Sequence, residues 1–157
     1  MKMLFPFILL LLLLGCDSKK GAFIESVQST NTHQTSVENL KTLIKNKGLT
    51  LFHVIDHQAN ANDVKMNLKP ETLIVFGNPK MGTALMNCNS SIGLDLPLRI
   101  LVATDYEGIT TLRYTNPEYW SLKHNVKDKR CLAILLKAKT ALGNLCKAAS
   151  QSPRGKH

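Results

Sequence analysis

A pair of glycines gives the first candidate for a binding site. The segment GNPKMG, residues 77–82, follows an apolar run and opens a helical pattern, with the glycine spacing of a phosphate-binding P-loop. That loop requires lysine directly after its second glycine, where this chain has Thr83, so we exclude nucleotide hydrolysis. Backbone N–H groups at a helix start, beside Lys80, can still hold a carboxylate or another anion. The alternative is a structural turn in which Gly82 allows close packing.

Histidine and cysteine side chains give a second candidate, a metal site or a thiol nucleophile. His53 and His57 lie four residues apart. On the strand that the surrounding Val, Ile and Phe indicate, their side chains share a face about 13 Å apart, too far for one metal ion. His57 can still meet Cys88 or His124 in space, either as metal ligands or as a Cys–His nucleophile pair. The spacing of these residues does not require them to meet.

Three cysteines lie after the N-terminal region: Cys88, Cys131 and Cys146. Cys131 and Cys146 are separated by about 22 Å on one predicted helix, whereas a disulfide needs Cα atoms within about 7 Å. These two cannot pair with each other. Cys88 can pair with either of them, which leaves one thiol over. We favour the interpretation that all three are buried free thiols that pack as small apolar side chains.

The N-terminus predicts export and lipidation. Residues 4–14 form an apolar run that, as a helix, spans roughly 16 Å, too short for a bilayer core. This length favours a cleaved export signal over a membrane span. Leu13-Leu14-Gly15-Cys16 resembles the lipobox of bacterial lipoproteins, which implies cleavage before Cys16 and a diacylglyceryl group on its thiol. The alternative is an uncleaved signal anchor, which Lys19 and Lys20 favour.

Lipidation would hold residues 16–157 at a bacterial membrane, with the domain facing the periplasm. Asp17 resembles the signal that retains lipoproteins in the inner membrane in enterobacterial-type sorting. Residues 121–157 carry nine Lys/Arg and a single acidic residue, whereas residues 16–120 carry ten of each. Because an exported protein does not meet nucleic acid, we interpret this charge as a solvated helix face. The functional alternative is attraction to anionic lipid headgroups or to an acidic partner.

These residues must be positioned by a small α+β domain, because alternating and continuous apolar runs are mixed with runs of helical period. The predicted elements are a strand at 23–29, a helix at 36–47 with Thr35 as N-cap, a strand at 49–57, a polar connection at 58–70, a strand at 72–76, a helix at 80–88, a hairpin of strands at 99–104 and 109–114, a helical turn from Asn116, and a helix at 127–149. The order β-α-β-β-α-β-β-α predicts a mostly antiparallel sheet with helices packed on one face.

Ordered blocks between His57 and Tyr114 resemble the domain of unknown function 302 family. They are IDH at 55–57, FGNP at 76–79 followed by Gly82-Thr83, and DLPL at 95–98, and His124 falls where the family often has a histidine. The resemblance covers about residues 21–125. It implies a fold similar to the TATA-box-binding-protein-like arrangement, often dimeric, without a settled activity. The lipobox leader and the longer basic helix depart from the family's common pattern.

The sequence therefore divides into a cleaved signal peptide (1–15), a lipidated cysteine with its tether (16–21), the domain itself (22–126), a basic amphipathic helix (127–149) and a flexible tail (150–157). We expect a membrane-anchored bacterial lipoprotein that binds a small ligand or serves as an accessory domain, with a homodimer and anionic headgroups as candidate partners. No cofactor is predicted.

Adjacent strand ends are expected to gather the candidate ligand-binding residues, which are Asp56, His57, Asn78, Lys80, Gly82 and Thr83. The alternative for this group is a hydrogen-bonded structural hub. The alternative function is a metal- or thiol-dependent enzyme that uses His57, Cys88 and His124, and we favour the non-enzymatic function over it.

Overall fold

The computed structural model describes residues 22–151, and these residues form strands and helices in mixed order. The strands are β1 (Ile24–Gln28), β2 (Thr50–Asp56), β3 (Glu71–Gly77), β4 (Leu98–Thr104) and β5 (Thr110–Thr115). The helices are α1 (His33–Asn46), α2 (His57–Asp63), α3 (Pro79–Cys88), α4 (Glu118–Lys123) and α5 (Lys129–Ala149), with a 3₁₀ turn at Ser90–Leu94. The predicted signal peptide, Cys16 and residues 152–157 lie outside the described residues.

One face of the sheet carries the core. The strands are all antiparallel, in the order β1-β5-β4-β3-β2, which confirms the predicted α+β class. Ile74 of β3 pairs with Ile100 of β4, and Val102 of β4 pairs with Leu112 of β5. All four side chains are fully buried. Because side chains alternate between faces along a strand, this register places them on the same side of the sheet.

Two helices cover this face of the sheet. Leu40 and Ile44 of α1 pack in one cluster with Leu142 and Leu145 of α5 and the core side of the sheet. Both pairs follow the three-to-four-residue spacing of an amphipathic helix, which is why the sequence predicted the two helices. The helical layer on one face of an antiparallel sheet therefore agrees with the predicted architecture.

The middle of α5 lies close to β5. A Cβ atom added at Gly143 would lie 3.2 Å from the Tyr114 hydroxyl oxygen, so glycine permits this approach. Burial raises the pKa of the Cys146 thiol to about 12. Burial, together with the nearby Cys146, also raises the pKa of Tyr114 to about 12. Cys146 is thus a buried free thiol, as predicted.

Local hydrogen bonds move several element ends from their predicted positions. Thr32, rather than Thr35, is the N-cap of α1, and its side chain accepts a hydrogen bond from the Thr35 N–H at 3.2 Å. α2 takes the last residue of the predicted strand at 49–57 and the first part of the predicted polar connection at 58–70, because the Asp56 carboxylate accepts the Ala59 N–H at 2.9 Å and caps that helix. The short helix α2 depends on this cap and buries no side chain, whereas α4 has no side-chain cap and buries Trp120. Neither helix is long enough to show much hydrophobic period.

A β-bulge in β2 changes which side chains share a face. The strand register shifts between Leu51 and His53. Leu51 pairs with the buried core residue Phe76, whereas His53 pairs with Val75 on the opposite face. In a regular strand Leu51 and His53 would share a face, and the bulge reverses this alternation because it adds one residue.

A disulfide joins Cys88, at the end of α3, to Cys131, in the first turn of α5, with Cα atoms 6.6 Å apart. The favoured interpretation of both as free thiols is wrong, because folding brings together two positions 43 residues apart that no local spacing connects. Asp128 caps α5 through the N–H groups of Arg130 and Cys131 and so fixes the start of the helix beside α3. A second apolar cluster that includes Trp120 surrounds Cys131.

Replacement of Cys88 and Cys131 by alanine should lower the free energy of unfolding by about 4 kcal/mol, the chain-entropy value for a loop of this length. The physical reason is that the open chain gains conformations in the unfolded state. Urea denaturation of the oxidised protein and of the double variant measures the difference.

Cys146→Ala is the control for the response to reductant, because it removes a cysteine that forms no disulfide. A dithiol reductant should shift the wild-type midpoint and leave the Cys88→Ala/Cys131→Ala midpoint in place. A reductant that shifts both midpoints equally would contradict the assignment of the disulfide.

Candidate functional site

An apolar groove opens where β3 ends, between α3 and α5. Its volume is about 330 Å³, at the lower end of the range of ligand pockets, roughly 300–1,000 Å³. Its walls are mostly aliphatic, aromatic and thioether side chains, which include Phe52, Met81, Leu85, Met86, Leu96, Pro97 and Ile134. Asn78, Thr83 and Lys137 contribute the polar groups of the lining. We call this feature the apolar groove.

The turn from β3 into α3 forms one wall of the apolar groove. Asn78 is the N-cap of α3, and its Oδ1 accepts the Met81 N–H at 3.2 Å. Pro79 occupies the first helical position, where a missing N–H costs nothing. A Cβ atom at Gly82 would lie 3.7 Å from Leu96, an ordinary van der Waals contact, so this turn of α3 lies beside the segment that enters β4.

Three of the predicted ligand-binding residues line the apolar groove. They are Asn78, Gly82 and Thr83, and Leu96 and Pro97 of the DLPL block line it too. Lys80 is exposed on the same turn but is not part of the lining. The structure therefore supports the grouping of the β3–α3 turn with the entry to β4.

Asp56 and His57 lie at the other end of the sheet. Asp56 pairs with Thr72 near the start of β3, whereas Thr50 pairs with Gly77 at its end. The expectation that adjacent strand ends gather all six residues is wrong. Neighbouring antiparallel strands run in opposite directions, so their C-terminal ends lie at opposite ends of the strands. Five residue steps of strand, about 17 Å, separate the two ends. The role of each residue in binding stays a prediction.

The distant end has its own polar contacts. The Nε2 atom of His33, in α1, lies 2.9 Å from the Thr72 hydroxyl oxygen. Burial lowers the pKa of His33, and the charge of Asp56 opposes that shift. Neither His33 nor Thr72 was a candidate in the sequence, because their approach depends on how α1 crosses the sheet.

A hydrogen-bonded network joins Ser91, Asp95 and His124, and its first two members are close in sequence to the groove residues Gly93 and Leu96. His124 is buried, with Nε2 2.5 Å from an Asp95 carboxylate oxygen and Nδ1 2.7 Å from the Ser91 hydroxyl. The Lys123 ammonium lies 2.9 Å from the same Asp95 oxygen. Burial alone would raise the pKa of Asp95, but hydrogen bonds from Lys123 and His124 hold it below its ordinary value.

The order Ser91–His124–Asp95 has the contacts of a charge-relay triad, yet its surroundings are those of a structural hub. The Ser91 hydroxyl also lies 2.8 Å from the Asn89 side-chain oxygen, and Asn89 donates to the His124 carbonyl at 2.8 Å. Ser91 is not among the residues that line the apolar groove. These bonds tie the 3₁₀ turn to the end of α4, and a nucleophile needs space for a substrate beside it.

The residues of the alternative enzyme are not gathered in one place. Cys88 is in the disulfide, His124 is bonded to Asp95 and Ser91, and His57 follows β2 at the far edge of the sheet. Ligand-type atoms of Cys88, Cys131 and Asp128 do lie within 4.8 Å of one another, but the two sulfur atoms are bonded to each other. The geometry therefore does not favour a metal or thiol centre on His57, Cys88 and His124.

Sequence reasoning missed the contribution of α5 to the apolar groove. Ile134, Lys137 and Ala141 line it, although they are distant in sequence from the glycine segment. Their helical spacing is the signal that was available, since these positions share one side of α5. That signal identifies a shared side but not the element it faces.

Within residues 22–151, no helix has both the length and the apolar character that a membrane crossing requires.

Comparison with known proteins gives three findings. The family model described as "Domain of unknown function DUF302" matches residues 25–150. The chain is 35% identical over 101 residues to "Fluoride-specific ion channel FluC 1" of Brucella suis and of Brucella abortus, a match that covers 64% of this chain. The chain spans 40% and 37% of the lengths of these relatives.

The third finding concerns the fold. The crystal structure of an uncharacterised conserved DUF302 protein from Bacillus stearothermophilus resembles this chain with a TM-score of 0.73. The sequences are 17% identical, and the likeness covers 82% of this chain and 99% of that one. It supports the architecture described above.

Asp95→Asn should lower the free energy of unfolding at neutral pH by about 2 kcal/mol, because it removes a partly buried charge bonded to His124 and Lys123. The folded pKa of Asp95 is depressed, so its stabilisation is present above the unfolded value near 3.8 and is lost as the pH falls through the folded value. Urea denaturation at several pH values should therefore show the two proteins converging at acidic pH.

Asp63→Asn, at the exposed end of α2, is the control and should change stability by less than about 0.5 kcal/mol. A constant difference between Asp95→Asn and wild type across the whole pH range would contradict the ionised contact.

Proposed function

The chain belongs to the DUF302 family, and we propose that it is a membrane-tethered domain that binds a small ligand with an apolar body in the apolar groove. The observation that carries this proposal is the coincidence of the groove with Asn78, Gly82 and Thr83, which the sequence had singled out for binding. Open concave surfaces with apolar walls and a few polar groups are the usual form of small-molecule sites. The groove therefore fits a binding function better than a catalytic one.

The lining specifies the class of ligand. Phe52, Leu96 and Ile134 offer flat and aliphatic contacts, while Met81 and Met86 can adapt to irregular shapes because their side chains are unbranched. Lys137 is exposed, and within residues 22–151 no acidic side chain lies within ion-pair distance of it. We therefore infer a ligand with an apolar body and an anionic or polar group that faces Lys137.

The membrane tether is proposed from two observations. Leu13-Leu14-Gly15-Cys16 has the lipobox pattern, so the domain would follow a lipidated cysteine by a few residues and face the periplasm, with Asp17 favouring the inner membrane. The two Brucella relatives are ion channels by name, and the matched segment is less than half of each. Their matching segments thus belong to membrane proteins, which supports placement of this domain beside a bilayer.

Ala141→Phe should weaken binding of the fluorescent probe 1-anilinonaphthalene-8-sulfonate by about tenfold, a loss of 1.4 kcal/mol. Ala141 is exposed and lines the apolar groove, so a phenylalanine there occupies the groove without entering the core. Fluorescence titration of the purified protein gives the dissociation constant.

Ala148→Phe is the matched control, since Ala148 is also exposed on α5 but is outside the groove lining. It should bind the probe as wild type does. If both substitutions weaken probe binding equally, or if neither weakens it, the probe binds elsewhere and the result counts against the groove.

Mass spectrometry of the protein purified from bacterial membranes should find a chain that begins at Cys16 with a diacylglyceryl group. Cys16→Ser should keep the leader attached, because the hydroxyl is a weaker nucleophile than the thiol that receives the lipid. Ser18→Ala is the control and should be processed normally. An unlipidated Cys16 in a chain without its leader would exclude the lipid tether.

A further inference from the structure

Three leucines form an exposed ridge on α4 and α5. Leu122 is 67% exposed, Leu136 is 53% exposed, and Leu132 lies one helical turn before Leu136. All three line one shallow groove between the two helices together with Tyr119. We call Leu122, Leu132 and Leu136 the leucine ridge. These leucines are additional to the side of α5 that is buried against the sheet, so the helix is apolar on two sides.

Positive charge flanks the leucine ridge. Lys129 lies on α5 three residues before Leu132, and Lys47 and Leu136 line one shallow depression. Among residues 22–151, neither lysine has an acidic side chain within ion-pair distance. Glu118, which also lines the ridge groove, lies 2.5 Å from the Lys139 ammonium. The cations next to the ridge therefore remain available to an anionic surface.

The chain enters the domain beside the ridge. The Phe23 ring packs edge-on against Tyr119, with ring centroids 5.2 Å apart, and Tyr119 lines the groove of the leucine ridge. Phe23 and Ile24 are themselves more than half exposed. From Cys16 to Phe23 an extended chain reaches at most about 25 Å. A lipid on Cys16 would therefore hold this side of the domain close to the bilayer.

We propose that the leucine ridge and its flanking lysines rest on an anionic phospholipid surface. Leucines enter the headgroup boundary, and lysines at the rim contact lipid phosphates, as on interfacial amphipathic helices. The orientation of the domain rests on the proposed lipid tether, but the affinity of this face for lipid does not. The leucine ridge shares no lining residue with the apolar groove, which takes the small ligand.

The charge distribution favours lipid over a second copy of the chain. In a twofold dimer the same patch meets itself, so Lys47 and Lys129 of both copies would be brought to one interface. Like charges at an interface oppose association. An anionic bilayer buries the leucines and pairs the lysines with phosphate groups at the same time.

The test uses the chain from Cys16 onward with Cys16→Ser, because the sheet, both apolar clusters and the disulfide are built from residues within 22–151. Co-sedimentation with vesicles of equal parts phosphatidylglycerol and phosphatidylcholine should give binding that falls as salt is added. Lys47→Gln/Lys129→Gln should weaken the partition coefficient about 25-fold, since each lysine near an anionic surface contributes about fivefold. Leu122→Gln/Leu136→Gln should weaken it about tenfold.

Met66→Gln/Lys69→Gln is the matched control, with an exposed apolar side chain and a lysine in the connection between α2 and β3. It should bind the vesicles as the parent chain does. Equal binding to pure phosphatidylcholine, or no loss in either test variant, would overturn the proposal. A lack of vesicle binding would also overturn the proposal. This holds if the chain is a monomer, and it holds equally if the chain is a dimer that Leu122→Gln/Leu136→Gln dissociates. Probe binding in the apolar groove is independent of all these outcomes.

Discussion

The packing of α5 onto the sheet is the contact on which the other features depend. Its C-terminal half places Leu142 and Leu145 in the main core, and its N-terminal half places Leu135 in the second cluster. The disulfide at Cys131 fixes the helix to α3. One helix thus joins both cores, and each surface proposed for binding includes side chains of α5. Loss of this packing would remove the groove wall and the leucine ridge together.

Antiparallel pairing then decides which polar residues can act together. The end of β3 and the start of β4 lie at one edge of the sheet, because those strands run in opposite directions. The Asn78 turn and Leu96-Pro97 consequently meet, and α5 completes a groove over them. Asp56 and His57 are at the other edge for the same reason, since β2 ends where β3 begins. The site is therefore a consequence of strand direction more than of any local motif.

The sequence predicted what repeats locally, and it left open or missed what depends on crossing elements. The helical period in α1 and α5 and the apolar run of β3 were sufficient for the α+β class, and Asn78-Pro79 located the start of α3. The Cys88–Cys131 disulfide and the Asp95–His124 contact join residues 43 and 29 positions apart. Each pair is brought together by tertiary packing, which leaves no periodic trace in the sequence. The β2 bulge was missed because one extra residue breaks the very alternation used to find strands.

The outer side of α5 shows why a helical wheel gives only part of the answer. The wheel separates an apolar side from a basic side and so predicts one buried and one solvated face. Leu132 and Leu136 interrupt the basic side, and both are exposed in the folded chain. A helix that is apolar on two sides needs an apolar surface against each side, and the sheet covers only one of them. Because lysines border the exposed leucines, the partner of this second side should have an apolar interior and a negatively charged surface, as an anionic bilayer does.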